Sequence, residues 1–151
     1  MRQIYFFDLS GVLFETSQVK PMIGSPKPTW DHFYSKCLGH DKPRDDMMEI
    51  FNCLYPNFDC FVWTGRPEYF RQRTIQQLHR EGITMSVDNL EQHLFMRPDG
   101  DFRSNVNMKK HWINSMLSVD ADTAMTFFED DPKHVSMLQE FGTTLVLNGR
   151  D

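Results

Sequence analysis

Four short segments of the 151-residue chain carry side chains able to handle phosphate. In Asp8-Leu9-Ser10-Gly11-Val12 a carboxylate ends an apolar run and precedes a glycine turn. Such a carboxylate is placed to attack phosphorus; an aspartate that merely caps a turn is the rival reading. In Val62-Trp63-Thr64-Gly65-Arg66-Pro67 an apolar run ends in a hydroxyl, a glycine and a proline. Backbone N–H groups at such a strand-to-helix junction bind anions, so Thr64, Gly65 and Arg66 are candidate phosphate binders. Thr64 as a helix cap is the alternative. In Met108-Lys109-Lys110 one lysine could neutralise both nucleophile and phosphate, unless both lie on a solvated helix face. In Glu129-Asp130-Asp131-Pro132 carboxylates suit a hard cation. Asp131, just before Pro132, has a second role open to it as a helix cap; Asp130 does not.

These segments need a scaffold, and strand and helix signals alternate along the chain, the pattern of an α/β fold with a mainly parallel sheet. Residues 3–8 and 58–64 read as buried strands, with further strands at 123–129 and 144–147. A helix is expected over 67–81, opened by Pro67 and closed by Gly82. Others are expected over 105–117, with Val106, Ile113 and Leu117 on one face, and from Pro132 to an end at Gly142. Residues 15–44 hold four of the eight prolines and read as a loop-rich insertion with a short helix at 30–37. A helix at 45–54 leads back to the sheet, and 97–104 reads as a hairpin or flap. Both irregular segments follow strands, so both are placed to overhang the strand ends where open α/β sheets bind ligands.

Composition narrows the classes. An apolar fraction of 40% supports one packed domain over 1–151. The net charge of −5 speaks against sequence-independent binding of long nucleic acid, which relies on many cationic contacts. Three cysteines without CxxC spacing suggest reduced thiols in a cytoplasmic setting. The first residues read as neither a signal peptide nor a membrane span.

Taken in order, FFDLSGVL, VWTGR, Lys109 and FFEDDP resemble the motif series of the haloacid dehalogenase (HAD) superfamily, from Ile4 to Asp131. TGRPE and EDDPKHV further resemble the small-cap group that includes phosphatase domains of polynucleotide kinase-phosphatases. The resemblance implies a three-layer Rossmann-like HAD fold with a small loop-rich cap or flap. It implies a magnesium-dependent phosphatase or phosphotransferase in which Asp8 becomes phosphorylated. Mg2+ would be held by Asp8, the Ser10 carbonyl and Asp130, with Asp131 acting through water. Thr64 and Lys109, or Lys110 in its place, would hold the phosphate oxygens. A nucleotide or nucleic-acid end is a candidate substrate. Arg66, Arg71, Arg97 and Arg103 could follow its backbone and Trp30, Phe33 or Tyr34 could stack on a base, although ordinary core packing also accounts for these aromatics.

The departure from the pattern is Ser10. The family carries there an aspartate that protonates the leaving group and then activates water. A serine has no accessible pKa near neutrality, and loss of such an acid typically costs about 10²–10⁴-fold. His32, His40 or Asp99 could stand in, the substrate could carry a good leaving group, or the phospho-enzyme could hydrolyse slowly. The alternative function is a catalytically impaired phosphate-binding or regulatory domain. A receiver-like domain would place its acidic cluster near the N-terminus, opposite to this chain.

Overall fold

A computed structural model describes residues 1–147. Its centre is a five-stranded sheet, every neighbouring pair parallel. The strands are β1 (Arg2–Asp8), β4 (Asp59–Pro67), β5 (Leu94–Arg97), β6 (Thr123–Glu129) and β7 (Gly142–Val146), in the order β5-β4-β1-β6-β7. The middle strand is covered on both faces, which is why it reads as an unbroken apolar run rather than an alternating one. Phe7 packs on one face with Met47, Met48 and Phe51 of α2 (Asp45–Leu54) and Ile75 and Leu78 of α3 (Arg71–Arg80). Phe6 packs on the other with Met108, Trp112 and Ile113 of α5 (Asn105–Val119) and Leu138 of α6 (Pro132–Gln139). The result is a three-layer, Rossmann-like α/β fold. Phe6 stacks on Trp63 at 4.3 Å and Phe7 on Phe128 at 4.5 Å. Each such ring contributes roughly 1.5–3 kcal/mol by leaving water, so the strand that ends in Asp8 is firmly anchored.

The chain runs outward from β1 to β4 and β5, then crosses to β6 on the far side of β1. That reversal opens a crevice at the carboxyl ends of the central strands, and Asp8 and Glu129 are the last residues of β1 and β6.

Several elements differ from the sequence expectation. The second strand does not stop at Thr64: it continues to Pro67, which pairs with Arg97 of β5 after a register shift. Pro67 is extended (φ −63°, ψ 149°) and is followed by a single 3-10 turn, Glu68–Phe70, so α3 begins at Arg71 rather than at 67. In the insertion, α1 (Lys27–His40) is longer than the expected 30–37 because Pro28 lies in its first turn, where its missing N–H is harmless. Two short strands, β2 (Phe14–Glu15) and β3 (Lys42–Pro43), pair antiparallel and close the insertion at its base. The segment 97–104, expected as a hairpin or flap, forms no strand after Arg97. It is a turn held by Arg97, whose guanidinium donates to the carbonyls of Asp101 (3.0 Å) and Arg103 (2.6 Å). Gly142 opens β7 instead of ending the last helix, since a side chain there would strike the Met125 carbonyl. The helix α4 (Val87–His93) and strand β5 had no counterpart in the sequence reading. No helix among the described residues is long and apolar enough to cross a membrane.

Candidate active site

Asp8 leaves β1 beside two neighbours. Its register partner in β4 is Trp63, whose carbonyl accepts from Leu9 N–H at 3.2 Å, so Thr64 follows directly on that side. On the other side, Phe7 pairs with Phe128, which brings Glu129 alongside. Asp8, Glu129 and Asp130 each offer a carboxylate oxygen within 4.8 Å of the others.

Helix α5 supplies the cation. Its N-cap is Ser104, whose hydroxyl accepts from Asn107 N–H. Lys109, Trp112 and Ile113 share its buried face, while Lys110 points to solvent. Lys109 is only 2% exposed, and its Nζ lies 3.5 Å from Asp8 Oδ2 and 3.0 Å from Glu129 Oε1. It also sits over the Trp63 ring at 5.0 Å. The structure thus chooses Lys109 over Lys110 as the lysine beside Asp8.

Electrostatics follow from this packing. Burial, reinforced by the Glu129 charge, pushes the Asp8 carboxyl well above its ordinary range, and Lys109 opposes this only in part. Burial pulls the Lys109 ammonium down, but Asp8 and Glu129 outweigh it and the net shift is upward, so the lysine stays charged. Three carboxylates therefore gather beside one ammonium. With its carboxyl raised by burial, ionising Asp8 there costs stability as pH rises. A divalent cation offsets that cost, and an all-oxygen donor set suits Mg2+ or Ca2+ rather than zinc.

The loop after β1 is shaped around the same group. Gly11 adopts φ +88°, open to glycine but strained for other residues, and a Cβ there would run into the Asp130 carboxylate. Arg44 Nη1 donates to the Gly11 carbonyl at 3.1 Å, fixing the loop from the stem of the insertion. Ser10 lies in this loop, half-buried and bridged to Phe14.

Two expected site residues lie elsewhere. Arg66 does not reach the carboxylates. It is 2% exposed, and its Nη1 donates to Thr74 Oγ1 (3.0 Å) and Gln77 Oε1 (2.9 Å) on α3. Burial lowers its pKa. Because β4 runs on through Pro67, Arg66 faces the helix layer instead of a helix N-terminus. Its N–H does donate to Thr64 Oγ1 at 3.1 Å, orienting that hydroxyl. Asp131 caps α6, its Oδ1 accepting from Lys133 N–H at 2.9 Å, and its side chain is 41% exposed. Of the two roles open to Asp131 the structure shows the cap, while Glu129, carried inward at the end of β6, joins Asp8 and Asp130. Gly65 admits Asn105 of α5, whose amide oxygen a Cβ would strike. His32, His40 and Asp99 are exposed and belong to no part of the carboxylate group.

Glu129 and His134 were missed by the sequence reading. A signal existed for Glu129: two residues after Phe127 on β6, it faces the same side, toward α5. His134 lies one turn into α6, with Nδ1 2.7 Å from Glu129 Oε1. It lies in the EDDPKHV run, which by itself assigns it no partner.

No family model matches the chain, and no curated protein is found to match it. Among solved structures it is similar to a chain of the Pnkp1/Rnl/Hen1 complex, with a TM-score of 0.69 and 16% identity. The match covers 98% of this chain and 46% of that one. At this identity the likeness shows the fold.

Proposed function

We propose that the chain is a magnesium-dependent phosphatase or phosphotransferase of HAD type, acting on a phosphomonoester through a phosphorylated Asp8. One observation carries this reading: the Lys109 ammonium lies against Asp8 at the sheet's carboxyl edge, inside a group of three carboxylates. Asp8, Asp130 and the Ser10 carbonyl would hold the cation, with Glu129 beside them. When bound, Mg2+ supplies charge neutralisation, which lets a carboxylate approach an anionic ester.

In the forward step an Asp8 oxygen forms a bond to phosphorus as the ester P–O bond breaks. The leaving oxygen takes a proton from solvent or from its own surroundings, since Ser10 is a poor acid. Water then attacks phosphorus and releases phosphate and free Asp8. Lys109, Thr64 and the backbone at Gly65 stabilise charge on the peripheral oxygens throughout. Arg66 contributes by orienting Thr64 rather than by touching substrate.

A nucleotide or nucleic-acid end is the substrate class best supported. The sequence resemblance to polynucleotide kinase-phosphatase domains supports this, and the fold shared with a chain of the Pnkp1/Rnl/Hen1 complex is compatible with it. Tyr34 of α1 donates to the Gly65 carbonyl at 3.5 Å and stacks on the half-buried Trp30, which gives a ring surface next to the β4 end of the site. Free cysteines fit a cytoplasmic setting. Ser10 favours a second reading, a phosphate-binding domain with impaired turnover.

A release assay should compare oligonucleotides phosphorylated at either end with mononucleotides and sugar phosphates, each with magnesium and with EDTA. Magnesium-dependent release, highest on the nucleic-acid substrates, is the expected outcome. Release that persists in EDTA, or none on any ester, contradicts the proposal.

A further inference from the structure

Glu129 is fully buried and both of its oxygens are already engaged by the protein. Oε1 meets Lys109 Nζ at 3.0 Å and His134 Nδ1 at 2.7 Å, and Oε2 accepts from Asp130 N–H at 3.2 Å. A carboxylate satisfied in this way acts as an internal counter-ion more readily than as an open metal ligand. His134 is the side chain that holds it. Only 7% exposed, it is carried on the first turn of α6, and its Nε2 lies 3.6 Å from Asp131 Oδ2, the cap of the same helix. Its other close contact is Lys109 Nζ, 3.1 Å from Nδ1.

We propose that His134 is a positioning residue: it fixes Glu129 so that the Lys109 ammonium stays against Asp8, where the phosphate arrives. Resting on the proposed phosphate chemistry, this gives a role to a residue of the EDDPKHV run for which the sequence offered none. Burial, and then the adjacent Lys109 charge, lower the His134 pKa against the Asp8 and Asp131 charges that raise it. The shorter contact of Nδ1, 2.7 Å to Glu129 Oε1 against 3.1 Å to Lys109 Nζ, favours the tautomer with its proton on Nδ1, which donates to Glu129. Without that donor Glu129 is free to turn toward the cation, and Lys109 loses its anchor.

The effect should fall on anion binding and not on metal binding, a split that general loss of packing would not give. The probes are magnesium titrated by calorimetry and inorganic phosphate measured as an inhibitor in saturating magnesium. His134→Ala should weaken phosphate by about 10–100-fold, the range for partners that orient a functional group, with magnesium affinity unchanged. His134→Asn, whose amide nitrogen stands where Nδ1 stood, should recover most of the loss; His134→Gln, with its donor displaced, should not. If His134→Ala fails to fold, the Asn and Gln variants alone decide.

Unchanged phosphate affinity in His134→Ala, or Asn and Gln variants that behave alike, overturns the assignment while leaving the phosphatase reading intact. Magnesium and phosphate affinities falling together also overturn it, because Glu129 then serves the metal. A wild-type protein that binds neither probe overturns the phosphate chemistry itself, and this inference with it.

Discussion

Replacing Asp8 with asparagine is expected to lower turnover by about 10⁴-fold or more while the protein keeps its fold. The amide is nearly isosteric with the carboxylate but cannot donate an electron pair to phosphorus at a useful rate. Its effect on stability should run the other way. Burial and the Glu129 charge hold the Asp8 carboxyl above its ordinary range, so the ionised side chain is a cost to the metal-free fold near neutral pH. Asparagine removes that cost, and Lys109 keeps Glu129 as a partner. Melting curves in EDTA should therefore show Asp8→Asn at least as stable as the wild type, while steady-state assays in magnesium show it inactive. An active Asp8→Asn protein would remove the nucleophile from the proposal. An inactive and unfolded one would leave a structural role to be separated by Asp8→Glu, which retains charge but displaces the attacking oxygen.

The second large effect is a gain. Ser10 lies two residues beyond Asp8, in the loop pinned through Gly11 and Arg44, and offers a hydroxyl where proton transfer calls for a carboxyl. Ser10→Asp should raise turnover of alkyl phosphates, including nucleic-acid ends, by about 10²–10⁴-fold, the usual worth of a positioned general acid. An aryl phosphate such as p-nitrophenyl phosphate releases a stable anion and needs little protonation, so its first step should change far less. A pH–rate profile for Ser10→Asp should acquire a new limb on the alkaline side, where the introduced acid loses its proton. Equal rates for wild type and variant on alkyl esters would mean that the substrate or another residue already supplies the proton.

How much of this was legible from sequence follows from burial and length. The middle strands were readable because a strand covered on both faces must be apolar throughout, as Phe6 and Phe7 are. Spacing did not single out Lys109: Lys110 lies at i+4 from Val106 and i−3 from Ile113, on the apolar face read from sequence, whereas the helix buries the face of Met108, Lys109, Trp112 and Ile113. Elements β5 and α4 are too short for any period to show, at four and seven residues. Missing β5 had a consequence at the site. Without a partner for Pro67, strand β4 seemed to end at Thr64, and Arg66 was assigned to a helix N-terminus that starts at Arg71 instead. The acidic run left two roles open for Asp131; the structure puts Asp131 at the helix cap and Glu129 beside Asp130 in the carboxylate group. Whether Glu129 or Asp131 faces the crevice depends on where β6 ends and α6 is capped, and Pro132 marks only the second of these. The contacts of His134 come from two elements meeting in space and leave no trace in spacing.

The whole reading depends on Asp8 being the group that accepts a phosphoryl unit, with a cation shared by its neighbour Asp130. A crystal grown with magnesium and beryllium fluoride tests this directly. The expected density shows beryllium bonded to an Asp8 carboxylate oxygen, its fluorides facing Lys109 and Thr64, and a cation bridging Asp8 and Asp130. Beryllium fluoride bound elsewhere, or an Asp8 that stays unmodified while a cation occupies the crevice, would contradict it.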